Sequence, residues 1–348
     1  MTVKQHAEPN YAREIRLLSL YAEPVAADMT TRIAVLIPCY NEAPTIGTVV
    51  ADFIRYLPHA SVHVYDNNST DGTAEVAQAA GATVCLEPLQ GKGNVVRRMF
   101  ADIDADVYVL VDGDGTYDAA SAPRLIEHLL RNQLDLVNAA RQAISAHAFP
   151  GGHGFGNLGF SRLIAAIFGR QISDVLSGYR VMSRRFVKSF PALSRGFETE
   201  TELVVHALEL RLPTAELKTP YRERPDGSHS KLHTVRDGTR ILRTILTLIK
   251  DERPLPFFCG IALLLLVGAL LIAWPLLTTY LQTGLVPRLP TAVLATGLVI
   301  LACISLVAGL ILDTVTHGRR ELKRLHYLSL GRYLPRAPAR AGRSAATQ

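Results

Sequence analysis

Apolar positions follow two different patterns along this chain. Up to about residue 250 they come as short runs separated by segments of helical spacing; beyond that they fill two long uninterrupted stretches. The run Arg32-Ile-Ala-Val-Leu-Ile-Pro38 is short, apolar and β-branched, which predicts a strand buried on both faces. Residues 45–57 then repeat their apolar positions at helical spacing. The alternation continues with strand 61–66, helix 72–80, strand 83–86, helix 94–103, strand 107–112, helix 122–131 and strand 135–140. Strands alternating with helices predict an α/β fold with a Rossmann-like, mostly parallel sheet. After residue 140 the pattern loosens through Gly151, Gly152, Gly154, Gly156 and Gly159 into a helix at 158–168. A polar turn, Ser177-Gly-Tyr-Arg180, precedes another strand and helix, and 198–210 is helical with an acidic start.

The two long stretches, 255–281 and 289–312, carry no charged side chain. Each exceeds the roughly 20 residues a helix needs to cross a bilayer, and neither shows the polar face of an ordinary core helix. Two transmembrane helices are therefore expected. Just before them, Arg236, Arg240, Arg243 and Lys250 interleave with Ile241, Leu242, Ile245, Leu246, Leu248 and Ile249, which predicts an amphipathic helix lying at the membrane interface. The chain thus divides into a leader (1–31), an α/β domain (32–232), an interfacial helix (233–253), two spans (254–313) and a basic tail (314–348).

Charge sets the expected orientation. Of the formal net charge of +6, much sits after the spans, where residues 317–348 hold eight Arg or Lys against the single acid Glu321. The positive-inside rule places that tail in the cytoplasm, and an even number of spans puts the α/β domain on the same side. The leader mixes Lys4, Glu8, Arg13, Glu14, Arg16 and Asp28 without an apolar core, unlike a secretory signal. An integral protein of the cytoplasmic membrane is expected, with no nucleic-acid partner. Cys39, Cys85, Cys259 and Cys303 lie in apolar runs without metal-binding spacing and read as packing residues.

Ligands of open α/β sheets bind at the carboxyl ends of the strands. Three such ends here are acidic: Pro38-Cys-Tyr40-Asn-Glu42, Asp66-Asn-Asn-Ser-Thr-Asp-Gly72 and Asp112-Gly-Asp114. Two carboxylates one residue apart can share a hard cation, Mg²⁺ or Mn²⁺, with the phosphate oxygens of a nucleotide. Asp66 and Glu42 can accept hydrogen bonds from a base or ribose, and Tyr40 can stack on the base. Asn67–Gly72 serves equally well as a turn and helix cap, and both readings stand. Lys92, between Gly91 and Gly93 at the start of a helix, is a candidate phosphate contact.

The ordered set Ile37-Pro-Cys-Tyr-Asn-Glu42, Asp66-Asn-Asn-Ser-Thr-Asp-Gly-Thr73, Gly91-Lys-Gly93, Asp112-Gly-Asp114, Ser177-Gly-Tyr-Arg180, Phe197-Glu-Thr-Glu-Thr-Glu202 and Arg224 to Lys231 resembles the family-2 glycosyltransferases of the GT-A fold. Within them it is most similar to the dolichol-phosphate mannosyltransferase and bacterial polyprenyl-phosphate glycosyltransferase branch, over roughly residues 32–250. The resemblance implies that Pro38, Tyr40, Glu42 and Asp66 hold the nucleotide and that Asp112 and Asp114 bind the metal. It implies that Arg141, Arg162, Arg224, Ser230 and Lys231 grip a lipid phosphate, with Asp114, Arg224 and Lys231 closest to the chemistry. The chain departs from relatives in carrying Thr116 where many place a glutamine ligand, and Asn67 and Asn68 where many have acids. Glu200 and Glu202 are expected either to face the site or to form an exposed acidic helix start.

The implied reaction moves a hexose from a UDP- or GDP-sugar to a polyprenyl or dolichyl phosphate with inversion. An anionic phosphate needs no strong general base, only positioning and cations. A processive polysaccharide synthase is disfavoured because its QxxRW signature is missing and the single tryptophan, Trp274, lies in a span. A glycan acceptor, or a scaffold without activity, are the rival readings. Gly260, Gly268, Gly297 and Gly309 would permit a homo-oligomer through the spans, although they form no clean GxxxG motif.

Overall fold

A computed structural model describes residues 31–143, 172–196, 198–222, 247 and 250–331. In chain order the elements are β1 (Ile33–Cys39), α1 (Ala43–Tyr56), β2 (Ser61–Asp66), α2 (Thr73–Ala79), β3 (Thr83–Leu86), α3 (Lys92–Asp102), β4 (Val107–Leu110) and α4 (Ala122–Arg131). There follow β5 (Leu136–Ala143), β6 (Arg180–Ser183), α5 (Arg184–Ser189), α6 (Glu198–Glu209), β7 (Thr214–Tyr221), α7 (Pro254–Thr283) and α8 (Leu289–Ser329). The expected helix at 158–168 and nearly all of the interfacial helix at 233–253 fall outside the described residues.

The strands form one sheet ordered β3-β2-β1-β4-β6-β5-β7. All neighbours pair in parallel except β6, which runs antiparallel to both β4 and β5. The sheet is thus mostly parallel, as the alternation predicts, with β6 as its one reversed strand among the described residues. The reversal brings the start of β6, Arg180, opposite Leu110 at the end of β4, so the Ser177–Arg180 turn arrives at the same edge as the acidic strand ends.

Helices cover both faces, which explains the near-continuous apolar strands. Alternate residues of β1 separate cleanly: Val35, Ile37 and Cys39 pack with Ile46, Val50 and Phe53 of α1 and Leu125 and Leu129 of α4. Ala34 and Leu36 face the opposite layer, where Val96 and Met99 of α3, Phe186 of α5 and Leu203 and Ala207 of α6 close over the sheet. Full burial of each such Leu, Ile or Phe contributes roughly 1.5–3 kcal/mol, so the sheet is the rigid frame on which the edge loops are mounted.

α7 and α8 are long and apolar enough to cross a membrane. They pack on each other through small residues: Ala269, Ala295 and Ala302 are buried, and a Cβ at Gly309 would lie 2.9 Å from the Cβ of Phe258. Gly309 thus serves the contact within the chain, whereas Gly260, Gly268 and Gly297 face open space. Cys303 is exposed on this hairpin, so it is not the packing residue expected, unlike the buried Cys39.

α8 does not stop where its apolar stretch ends. It runs on to Ser329 and lies against the α/β domain. Lys323 Nζ sits 2.7 Å from Oε2 of the fully buried Glu209, and Arg319 and Arg320 each reach Glu252 at 3.2 Å. Tyr327 donates to Asp135 Oδ2 at 2.7 Å, beneath the Arg185 guanidinium at 4.9 Å from its ring. Burial and Glu209 push the Glu252 carboxyl up, against the pull of Arg320, Lys323 and Arg319. Three residues of the basic segment, Arg319, Arg320 and Lys323, therefore neutralise carboxylates that would otherwise be buried unpaired.

Candidate active site

The polar side chains collect at the edge formed by the carboxyl ends of β1, β2, β4, β5 and β7. Their closeness registers on Cys39, whose buried thiol is pushed well up by burial and by Glu42, Asp66 and Asp112. These acids come from three separate loops. Convergence read from topology alone is thus real in three dimensions.

The first two loops are bound to each other. Asn41 donates its N–H to Ser69 Oγ at 2.8 Å, and its side-chain oxygen accepts from Thr70 N at 2.8 Å. Asp71 accepts from Ala43 N at 3.0 Å and Thr73 N at 3.1 Å, tying together the starts of α1 and α2. The turn reading of this segment fits, but the N-cap of α2 is Gly72, which has no side chain to cap with, and Asp71 serves the first helical N–H from the position before it. Asp66 uses Oδ2 for Ser69 N at 3.0 Å, while its Oδ1 is buried without a hydrogen-bond partner among the described residues. A buried carboxylate oxygen left in that state is costly unless a ligand supplies the donor. Tyr40, in the neighbouring first loop, is over a third exposed.

Asn67 has a role the sequence did not reveal. Its side chain donates to Glu87 O at 2.7 Å and Leu89 O at 2.9 Å and accepts from Gly91 N at 2.7 Å, so it fixes the loop that delivers Lys92. On the other side Gly93 N donates to Arg195 O at 3.1 Å. Glu202 holds that partner loop by accepting from Leu193 N at 2.9 Å and Ser194 N at 3.0 Å. Glu200 and Glu202 therefore part company: Glu202 is structural, whereas Glu200, nearly buried, accepts from Lys92 Nζ at 2.5 Å. Lys92 also bonds Asp112. Burial opposes its charge, yet Asp112 and Glu200 together hold the ammonium above its ordinary range.

Asp112 and Asp114 flank a turn with no room for a side chain between them. A Cβ on Gly113 would fall 2.6 Å from Cys39 Sγ, and Thr45 Oγ1 clamps Gly113 O at 2.7 Å. Asp114 is buried, its Oδ1 accepting from Thr116 Oγ1 at 2.6 Å and Thr116 N at 3.1 Å. Thr116, standing where relatives carry a glutamine, thus orients the second carboxylate. Among the described residues no three His, Cys, Asp or Glu side chains gather into a metal site. The two aspartates fit a hard divalent cation completed by diphosphate and water, because they offer only oxygen ligands and too few to satisfy an ion alone.

The Ser177–Arg180 turn closes over this pair. Ser177 Oγ donates to Ala139 O at 2.6 Å and Gly178 N to the Tyr117 hydroxyl at 2.7 Å. A Cβ on Gly178 would collide with the Asp112 carboxylate, 2.7 Å from its Cγ. Behind it Arg180 is fully buried, donating to Val175 O at 2.8 Å and Asn138 Oδ1 at 3.2 Å. Burial lowers its pKa, while Glu200, Tyr117, Asp174 and Asp112 favour its charge. Sequence reading quoted this arginine in a motif without giving it a task; it is a cation lodged behind the acidic edge.

Arg141, at the end of β5, forms a bidentate pair with Asp174 at 2.8 Å through both Nε and Nη2 and lies 5.5 Å from the Tyr221 ring centroid. Arg162, Arg224, Ser230 and Lys231 lie outside the described residues. The chain does reach the site just before them: Arg222 N donates to Thr116 O at 2.9 Å, two residues from Asp114.

The model of glycosyl transferase family 2 matches residues 34–190. Glycosyltransferase AglJ of Haloferax volcanii is 36% identical over 65% of this chain and 75% of its own length. The chain belongs to glycosyl transferase family 2. A second relative of this glycosyltransferase, the dolichyl-phosphate hexose transferase of the same organism, is 29% identical over 64% of the chain and 95% of its own length. Among solved structures, glucosyl-3-phosphoglycerate synthase from Mycobacterium tuberculosis in complex with Mn²⁺, uridine-diphosphate and phosphoglyceric acid is 25% identical. It superposes with a TM-score of 0.54 over 66% of this glycosyltransferase and 84% of that chain.

Proposed function

We propose that this glycosyltransferase moves a hexose from a UDP- or GDP-linked donor to a polyprenyl or dolichyl phosphate, at a site facing the cytoplasm. The observation that carries the reading is the union of an acidic nucleotide edge with a pair of membrane-length helices, one of which is docked to the catalytic domain by its own extension. The dolichyl-phosphate hexose transferase relative supports the same acceptor class.

In this reading Asp66 Oδ1 accepts a hydrogen bond from the base, Tyr40 lies against it, and Pro38 and Glu42 shape the first loop. Asp112 and Asp114 hold Mg²⁺ or Mn²⁺, which offsets diphosphate charge and stabilises the leaving group. An acceptor phosphate oxygen forms the new bond to the anomeric carbon from the opposite face as the bond to the nucleoside diphosphate breaks, inverting the centre. No side chain needs to remove a proton. Arg224, Ser230 and Lys231 are the proposed acceptor-phosphate contacts because Arg222 delivers the chain beside Asp114 just before them. Arg162 is proposed with them, and Arg141 would join by trading contacts with Asp174.

The test is transfer of radiolabel by the full chain in liposomes containing polyprenyl phosphate, with Mg²⁺ or Mn²⁺ and a panel of UDP- and GDP-hexoses. Label entering lipid from one donor with the wild type and not with Asp114→Ala is expected. Label entering phosphoglycerate instead, the acceptor bound in the solved synthase, would replace the lipid assignment.

A further inference from the structure

Lys92 stands where two demands compete. Its ammonium bonds Asp112, one of the two carboxylates proposed for the metal, and Glu200, which is not. A divalent cation and an ammonium drawing on one carboxylate repel each other strongly in a site this enclosed, where the lysine and Glu200 side chains are each 10% exposed. The backbone around Lys92 is held on both sides, by Asn67 at Gly91 and by Arg195 at Gly93. Neither glycine has space for a side chain: a Cβ on Gly93 would fall 2.5 Å from Thr199 Oγ1. What remains movable is the four-carbon stem, rooted in the first turn of α3, where helix N–H groups favour a phosphate anion.

We propose that Lys92 is a displaceable resident cation, which neutralises Asp112 in the nucleotide-free enzyme and releases it to the metal only when a donor diphosphate draws the ammonium away. Glu200 is the second anchor that keeps the lysine within reach of both positions. The inference rests on the metal assignment made above. Its consequence is ordered loading: metal and nucleotide each bind weakly alone and strongly together, and the coupling is reciprocal. The enzyme thereby avoids closing its acidic edge around a metal with no nucleotide diphosphate beside it.

The experiment measures Mn²⁺ binding to the full chain in detergent by electron paramagnetic resonance, with no sugar or lipid present, in the absence and presence of UDP or GDP. Wild type is expected to bind Mn²⁺ at least tenfold more tightly with its nucleotide than without. Lys92→Met is expected to bind Mn²⁺ alone at least tenfold more tightly than wild type, to lose most of the coupling, and to bind nucleotide more weakly at saturating Mn²⁺. A gain in metal affinity is a result that misfolding does not produce. If Lys92→Met lacks a cooperative thermal transition, Lys92→Gln, which keeps hydrogen bonds to both carboxylates, takes its place. Equal Mn²⁺ affinity in wild type and variant, including no binding in either, overturns the proposal. Lipid transfer by wild type together with that equality would remove this inference and leave the proposed reaction standing.

Discussion

Replacing Gly178 by alanine isolates the metal edge from the stability of the fold. The new Cβ would land on the Asp112 carboxylate, 2.7 Å from its Cγ and 2.9 Å from Oδ1. Ordinary contact begins near 3.4 Å, so the carboxylate must retreat by about 1 Å, and it can, since it is the end of a short side chain. The rotamer adjustment costs roughly 0.5–1.5 kcal/mol. For a domain of this size that lowers the thermal midpoint by only about 1–6 °C. The catalytic cost is larger, because a misplacement of about 1 Å at a reacting centre removes on the order of 100-fold in rate. Gly178→Ala is therefore expected to fold, to lose about 100-fold in kcat/KM for sugar transfer, and to weaken Mn²⁺-dependent nucleotide binding. Gly93→Ala is the control, since its Cβ would sit 2.8 Å from the Ser194 carbonyl carbon, where backbone cannot step aside. That variant should lose stability first, by about 1–3 kcal/mol. Scanning calorimetry in detergent alongside the transfer assay separates the two. Near-normal turnover in Gly178→Ala, or a collapse of its melting transition, would refute the argument.

Asp66→Asn should weaken nucleotide affinity roughly 10- to 100-fold, the value of a hydrogen bond to a charged acceptor, while moving the thermal midpoint little; titration calorimetry with UDP and GDP reads it. Lys323→Met and Glu209→Gln, combined in a double-mutant cycle, should show a coupling of at least about 1 kcal/mol in chemical denaturation, because Glu209 is fully buried beside its lysine. His206 is buried between Phe186 and Phe190, and burial, with Lys323 nearby, lowers its pKa to about 3. Below about pH 6.5 the unfolded chain binds a proton there that the folded chain refuses. Stability should then fall by about 1.4 kcal/mol per pH unit from this group between pH 6.5 and 3, and His206→Phe should flatten that slope.

The strands from β1 to β5 could be read from sequence to within a few residues because β1 and β4 are apolar, β-branched runs and the others fall in step with them between segments of helical spacing. β7 escaped notice: Thr214-Ala-Glu-Leu-Lys-Thr-Pro-Tyr221 is an edge strand of largely half-exposed residues, and Pro220 is tolerated at such an edge. The direction of β6 was equally hidden, since strand sense is fixed by the path between strands and not by composition. The same division runs through the site. Asp66, Asp112 and Asp114 were visible because strand-end position is a local property. The pairing of Lys92 with Glu200 joins residues 108 positions apart, and Asn67 looked like one more turn residue until its three bonds to the Glu87–Gly91 loop were seen. The extension of α8 was missed for a different reason. Its partners are carboxylates, and its leucines Leu322, Leu325 and Leu328 stay exposed, so apolar spacing does not mark the face that docks.

That extension makes the second membrane-length helix a ruler as well as an anchor. Its 41 residues span about 60 Å, of which the apolar part takes roughly 36 Å, leaving about 25 Å of helix that carries the contacts to Glu252, Glu209 and Asp135. A continuous helix also carries rotational phase. Each residue added between Leu312 and Arg319 would turn the docked cations by about 100° and move them about 1.5 Å along the axis. Two added residues would present Lys323 to the wrong side of Glu209, and seven would nearly restore its facing at a height about 10 Å greater. The reach of the docked segment beyond the apolar stretch is thus written into a residue count, and the count is read twice, once as height and once as angle.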